Sequence, residues 1–316
     1  MKNTYCLYLL FCLLPLCASA QSDQHYTMFM YNKLLYNPGY AGSRDVLSVN
    51  ALYRNQWTGI PGAPKTINIA ADAPVGSYMR PFRPVSVGVS VTNEKVGVEN
   101  NTLLRTYYAY RIRMKHSVLS MGLSAGANMY SANYSDLTLH QQNDPNFNTN
   151  ISNAILPAFG AGAYWSGSNF YCGLSVPGML QNYYDKNQPT RTSQQIRAFY
   201  LSGGYVFTLN ETIKLQPQLL ARYAVNRNYQ LPFSTDINLS AIAFDRLLLG
   251  CTYRTDKSVA VIAHLQATTR INIGYAYDHA MSALNGVAGG SHELVLGYDL
   301  IRDNSKFLTP RFIKKF

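Results

Sequence analysis

Hydrophobic and polar positions alternate with a period of two over much of this chain. In Arg270-Ile271-Asn272-Ile273-Gly274-Tyr275-Ala276-Tyr277-Asp278 the odd positions are large and apolar, and the even ones polar, charged or small. The same pattern recurs at 85–91, 119–129, 213–219 and 294–300. Successive strand side chains point to opposite faces, so each segment predicts a strand with one apolar and one polar side. Read from end to end, the pattern predicts about fourteen strands, an even number as bacterial outer-membrane barrels have. Their expected spans are 46–57, 65–74, 84–92, 101–114, 117–131, 156–166, 168–177, 195–208, 212–224, 233–243, 245–254, 258–267, 270–279 and 292–300.

Gap lengths carry a second pattern. Lys115-His116, Gly167, Asn210, Phe244 and Thr268-Thr269 are short connections. His140 to Asn153 and Leu180 to Ser193 are long and rich in Asn, Gln and Asp. Alternating tight turns and long loops are expected of a transmembrane barrel, the turns periplasmic and the loops external. Two gaps break the rule: Gly76 to Arg83 is long for a tight turn, and Thr255 to Lys257 short for a loop.

The first twenty residues read as a signal peptide. Lys2 gives the positive start, Leu7 to Leu16 the apolar run, and Ala18-Ser19-Ala20 a cleavage site before Gln21. Cys6, Cys12 and Cys17 would leave with it. Cys172 and Cys251 lie on apolar strand faces and read as small hydrophobes rather than a disulfide. The expected organisation is a signal peptide (1–20), an N-terminal cap or plug segment (21–43), a barrel (44–300) and a basic tail (301–316).

Composition narrows the class. Charged residues make up 14% of the chain, and there are 25 tyrosines. A soluble domain carries about 25% charge, so a soluble β-sandwich is the weaker reading. The fold class expected is all-β, a transmembrane antiparallel β-barrel of the outer membrane. Its apolar face would meet lipid, and its N-terminal segment would lie outside or plug the lumen.

The formal net charge is +11. Many arginines lie opposite the apolar register, which makes Arg54, Arg105, Arg111, Arg113, Arg222, Arg246, Arg254 and Arg270 candidate lumen-lining residues. No basic patch with interleaved aromatics stands apart from the strands, so nucleic acid is not an expected partner.

Catalytic signals are weak. Gly122-Leu123-Ser124-Ala125-Gly126 matches the nucleophile-elbow string, but it lies inside an alternating strand rather than at a strand-to-helix turn. The six histidines lack metal-ligand spacing. No enzyme activity, cofactor or metal is expected.

One block is more specific. Residues 28–43 read MFMYNKLLYNPGYAGS, and residues 53–66 read YRNQWTGIPGAPKT. Later come Asp245-Arg246-Leu247-Leu248-Leu249-Gly250, Ile273-Gly274-Tyr275-Ala276-Tyr277-Asp278 and Ser291-His292-Glu293-Leu294. In this order the blocks closely resemble the PorP/SprF family of the Bacteroidetes type IX secretion system. Gly39, where Ala is expected, is a mild departure, and residues 132–195 match only by pattern.

The resemblance implies an outer-membrane component of that system. Its expected partners are the secretion machinery, outer-membrane lipid and a secreted or surface-anchored protein such as a large adhesin. The alternative is a pore or transporter for small anions or hydrophobic molecules. Candidate plug or partner-binding residues are Tyr31, Asn32, Tyr36, Asn37, Pro38, Trp57, Pro61, Gly62, Pro64 and Lys65. Tyr31, Asn32, Tyr36 and Asn37, placed just before a cation-lined barrel, are expected to hydrogen-bond its arginines. The hairpin from Gly59 to Lys65 reads as a stiff external loop or as a docking surface. Tyr53 and Trp57 read first as members of the interfacial aromatic belt.

Overall fold

The computed structural model describes residues 26–76, 82–136, 150–182, 196–225, 233–281 and 289–301. The expected signal peptide (1–20), most of the two long loops and nearly all of the basic C-terminal stretch lie outside them. The strands are β1 Leu47–Asn55, β2 Lys65–Val75, β3 Val85–Val96, β4 Glu99–Arg113, β5 Ser117–Ala132, β6 Ile151–Gly167, β7 Phe170–Val176 and β8 Arg197–Tyr205. They continue with β9 Phe207–Thr208, β10 Ile213–Val225, β11 Ser234–Ala243, β12 Leu247–Arg254, β13 Ser258–Gln266, β14 Ile271–Ala280 and β15 Ser291–Leu300.

Consecutive strands pair antiparallel, except that β8 pairs with β10 rather than β9, and β15 pairs with β1. The additional β10–β11 pairing completes the ring, so the sheet is a closed barrel. β9 continues β8 in register: Gln218 faces Gly204 on β8, and Leu215 faces Phe207 on β9. The wall is therefore fourteen strands thick in circumference, with β9 as a short extension. Closure leaves no unpaired edge, which is what a membrane-spanning sheet requires.

Alternation sets the two faces. In β2, Thr66, Asn68, Ala70 and Asp72 are buried, whereas Ile67 and Ile69 are 51% and 54% exposed. Leu123, Ile155 and Val261 are exposed in the same way, at 61%, 66% and 61%. Such exposure of large apolar side chains all around a closed sheet identifies the outer face as the lipid-facing one. Cys172 and Cys251 are free and lie on it.

Short connections join β4 to β5, β6 to β7, β11 to β12 and β13 to β14, at the end that also holds the start of β1 and the end of β15. By the rule for outer-membrane barrels this end is periplasmic. At the opposite, external end the β12–β13 connection is tight, with Lys257 at φ 68, as its length foretold. The Gly-Leu-Ser-Ala-Gly string lies within β5, its Ser124 buried on the inner face.

Candidate functional site: a plugged lumen

The N-terminal segment fills the barrel. Thr27 and Met28 are fully buried, and Phe29, Tyr31, Leu34 and Tyr36 nearly so. The segment turns at 27–31, forms a one-turn helix over Lys33–Tyr36 and a 3-10 turn over Pro38–Tyr40, then enters β1. Thr27 lies beside Glu293, near the external end of β15, whereas Gly42 reaches Asp72 and Arg44 reaches Asp299 at the periplasmic end. The plug thus runs through the lumen from its external third to the periplasmic rim.

Apolar side chains hold its first part, residues 28–36. Met28, Phe29, Met30, Leu35 and Tyr36 pack with Leu52, Leu220, Ile242, Leu248, Ile262 and Val295, all inward-facing wall residues. A wet lumen would favour polar residues at those positions. Each buried Leu, Ile, Phe or Met contributes roughly 1.5–3 kcal/mol relative to exposure, so these positions give the plug its main adhesion.

Charges fix its register. Glu293 accepts the Thr27 amide at Oε2 and the Met28 amide at Oε1, both at 2.8 Å. Arg54 Nη1 donates to Glu293 Oε2 at 2.8 Å and to Thr27 Oγ1 at 2.7 Å, and its Nη2 donates to Asp278 Oδ2 at 3.2 Å. Arg254 joins the cluster through Asp236 Oδ1 at 2.8 Å and Asp278 Oδ2 at 3.3 Å. Buried charges persist where they are paired and hydrogen-bonded. Here three carboxylates meet two guanidiniums, and the plug's amides add donors to the remaining oxygens.

The lower half rests on glycine. Asn37-Pro38-Gly39 lies against adjacent strands β5, β6 and β7. A Cβ on Gly122 would come within 2.3 Å of the Pro38 carbonyl carbon, one on Gly162 within 2.2 Å of Asn37 Oδ1, and one on Gly173 within 2.7 Å of Asn37 Nδ2. Only residues without a side chain let the backbone approach so closely. Asn37 then bonds both ways: its Nδ2 donates to Ala163 O at 2.9 Å, and its Oδ1 accepts from the Gly39 amide at 2.9 Å. Ser175 Oγ donates to Tyr36 O at 2.8 Å.

Lys33 lies among tyrosines. Its Nζ is 3.5 Å from the Tyr171 ring centroid, with the Tyr40 and Tyr164 centroids at 5.8 and 5.9 Å. Burial, and secondarily the Arg44 charge, lower its pKa to about 7. Burial raises Tyr36 well above its usual value, assisted by Tyr200, Tyr26, Asp236 and Glu293.

The candidate residues separate into groups. Tyr31, Asn32, Tyr36, Asn37 and Pro38 are all in the plug. The expected bonds to arginines are replaced for three of them: Asn32 Nδ2 donates to Met28 O, Asn37 to Ala163 O, and the Tyr36 hydroxyl accepts from the Tyr26 amide. Thr27 makes the arginine contact instead. Tyr31 stacks on His264, centroids 3.9 Å apart. Trp57, Pro61, Gly62 and Pro64 lie in the β1–β2 hairpin at the external end, and Lys65 opens β2 facing outward. This hairpin is braced on both sides: Gly97 donates its amide to Gly62 O at 2.8 Å, and Thr58 donates to Gly290 O at 2.8 Å.

Arg54, Arg111, Arg222 and Arg254 are buried on the inner face, and Arg105 is half-buried there. Three expectations need correction. Arg246 and Arg270 lie in the β11–β12 and β13–β14 turns, and Arg113 is exposed at the periplasmic end of β4. A strand's polar register leaves the lumen where the strand ends, so these cations sit on the rim. Sequence reasoning also passed over the acids: Asp72, Asp236, Asp278, Glu293 and Asp299 are all buried on the inner register. Their alternation with apolar residues was the available signal.

Residues 18–298 match the family described as type IX secretion system membrane protein PorP/SprF. The chain belongs to the PorP/SprF family. The plug's Tyr-Asn-Pro segment and its Glu293 and Asp278 anchors all fall within that match. No curated protein matches the chain. Similar solved structures include Acinetobacter baumannii Omp33, at 7% identity and a TM-score of 0.44, covering 80% of this chain and 96% of that one. A mutant of Rh. blastica porin gives 7% identity and a TM-score of 0.35, covering 81% of this chain and 99% of that one.

Proposed function

We propose that this PorP/SprF protein acts as a closed barrel that assists secretion or cell-surface attachment of a partner protein, such as a large adhesin, in secretion or gliding. The observation that supports this reading is the plug: an apolar, ion-paired segment of the chain itself occupies the lumen from its external third to the periplasmic rim. A pore for anions needs water along its axis, and here the lumen cations Arg54, Arg111 and Arg254 meet carboxylates. The surfaces left for a partner are then the rims. At the external rim, the braced Trp57–Lys65 hairpin offers a stiff platform with its Pro61 and Gly62 exposed.

The role is non-catalytic. Ser124, the serine of the only elbow-like string, lies mid-strand with no strand-to-helix turn to expose it.

Gentle-detergent pull-down from native membranes tests the reading, paired with planar-bilayer recording of the purified protein. Recovery of secretion-system components or one surface protein, with a barrel that conducts poorly, is the expected result. A solitary barrel with steady anion conductance would overturn it in favour of transport.

A further inference from the structure

Lys65 and Lys95 occupy directly paired positions on β2 and β3, near the external end. Both side chains are exposed, and both continue the outward register of their strands: Ile67 and Ile69 follow Lys65, and Val91 precedes Lys95 by four residues. Directly opposed residues on one face hold their Cβ atoms about 4.5–5.5 Å apart, and like charges so placed destabilise the sheet. The ion pairs of Asp45, Asp236, Asp245, Asp256, Asp278, Glu293 and Asp299 all run to cations other than these two lysines. The flanking outward positions are neutral: Asn55 faces Lys65, and Asn100 faces Lys95. Asn93 on the same face donates to Asn100 Oδ1 at 2.8 Å and to Thr102 Oγ1 at 2.7 Å. Glu94 and Glu99, the nearest acids in sequence, fall on the inward register.

We infer that this lysine pair binds the phosphate of an outer-leaflet lipid headgroup. Three observations specify that occupant. First, the ammonium groups look outward, away from lumen and plug, so a ligand must approach along the outer wall. Second, Lys65 is one residue pair, about 7 Å of strand, beyond the lipid-facing Ile67, which sets it at the edge of the hydrocarbon band. Third, two adjacent ammoniums with amide donors beside them match one phosphate group, for which lysine serves as a point-charge partner. A bound phosphate also converts a repulsive cross-strand pair into a bridged one. Anionic lipid surfaces attract basic residues on this basis.

The test is native mass spectrometry of the full mature chain in detergent, with monophosphorylated lipid A added, or the same lipid without its phosphate. The expected result is a retained one-to-one adduct with the phosphorylated lipid. It should fall roughly thirtyfold in Lys65→Gln/Lys95→Gln, from the ordinary contribution of two lysines near an anionic surface. Lys257→Gln, at the exposed β12–β13 turn, should keep the adduct, and so should Lys65→Arg/Lys95→Arg. Heat-modifiable gel migration verifies that each variant has folded, and the single Lys65→Gln and Lys95→Gln proteins serve if the double variant does not. Equal adduct in the glutamine variants, equal binding of the dephosphorylated lipid, or equal displacement by equimolar inorganic phosphate would each overturn the assignment.

Discussion

Arg54 and Glu293 face each other across the seam that closes the barrel, paired in register on β1 and β15 with Nη1 and Oε2 2.8 Å apart. The same carboxylate accepts the amides of Thr27 and Met28. One side chain therefore joins the first strand, the last strand and the plug. Removing one partner of a buried ion pair costs about 3–5 kcal/mol, because the other charge is left behind. Glu293→Gln keeps the shape but offers one acceptor oxygen where two amides and a guanidinium require two. We expect the plug to loosen while the barrel persists. Limited proteolysis within residues 26–43 should speed up and bilayer conductance should rise; unchanged values of both would contradict the anchoring role.

The glycine saddle gives an orthogonal test. Gly122→Ala introduces a methyl 2.3 Å from the Pro38 carbonyl carbon, where the obstacle is backbone and cannot swing aside. Overpacking of this kind costs about 1–3 kcal/mol. Gly203→Ala is the control, since its Cβ would approach nothing closer than Tyr171 O at 3.6 Å. Thermal unfolding should fall by several degrees in the first and stay level in the second. If the two variants melt together, Asn37-Pro38-Gly39 does not rest on the saddle in solution.

Strand-level order was legible because lipid on one side and a polar wall on the other impose a strict period of two. Val85–Val91 and Ile271–Tyr277 could be read by eye. The plug was harder. Its residues look like an ordinary apolar turn sequence, and nothing in Met28-Phe29-Met30 says what it touches. The wall does carry the signal, in places where alternation fails. Leu247-Leu248-Leu249, Val261-Ile262 and Leu294-Val295-Leu296 put an apolar residue on both faces, and the inward member of each is buried under the plug. The acids were missed for a related reason: the excess of arginine in the chain directed attention to cations, whereas pairing is decided by position on the inner register.

Those inward apolar residues make a prediction of their own. Leu248→Asn and Ile262→Asn place an uncompensated amide in the fully buried cluster that also holds Met28 and Phe29. Burying a polar group without a partner costs about 1–3 kcal/mol by mutational measures, in addition to the lost packing. The outward neighbours Leu249 and Val261 meet lipid instead. Leu248→Asn should therefore raise conductance, whereas Leu249→Ala should leave it as in the parent protein. Conductance that responds to neither substitution would mean that the plug does not depend on this layer.

Plug docking should also depend on pH, through Lys33. Docked, its pKa is lowered to about 7 by burial and then by Arg44; displaced into water it returns to the ordinary lysine range near 10.4. The groups that face it are the Tyr40, Tyr164 and Tyr171 rings and the Arg44 guanidinium. Between these two pKa values the displaced state binds the extra proton, so docking strengthens as pH rises through that window. Below pH 7 both states are charged and the dependence vanishes. Tyr36, raised well above 10, stays neutral throughout the window when docked. The gain is limited to tenfold per pH unit, and cation–π attraction to Tyr171 reduces it. Proteolysis of the plug, measured between pH 6 and 9.5 with a protease of flat activity there, should slow as pH rises above 7. Lys33→Met should remove the slope and protect the plug at every pH. A slope that survives in Lys33→Met, or one of opposite sign, would assign the titration to another group.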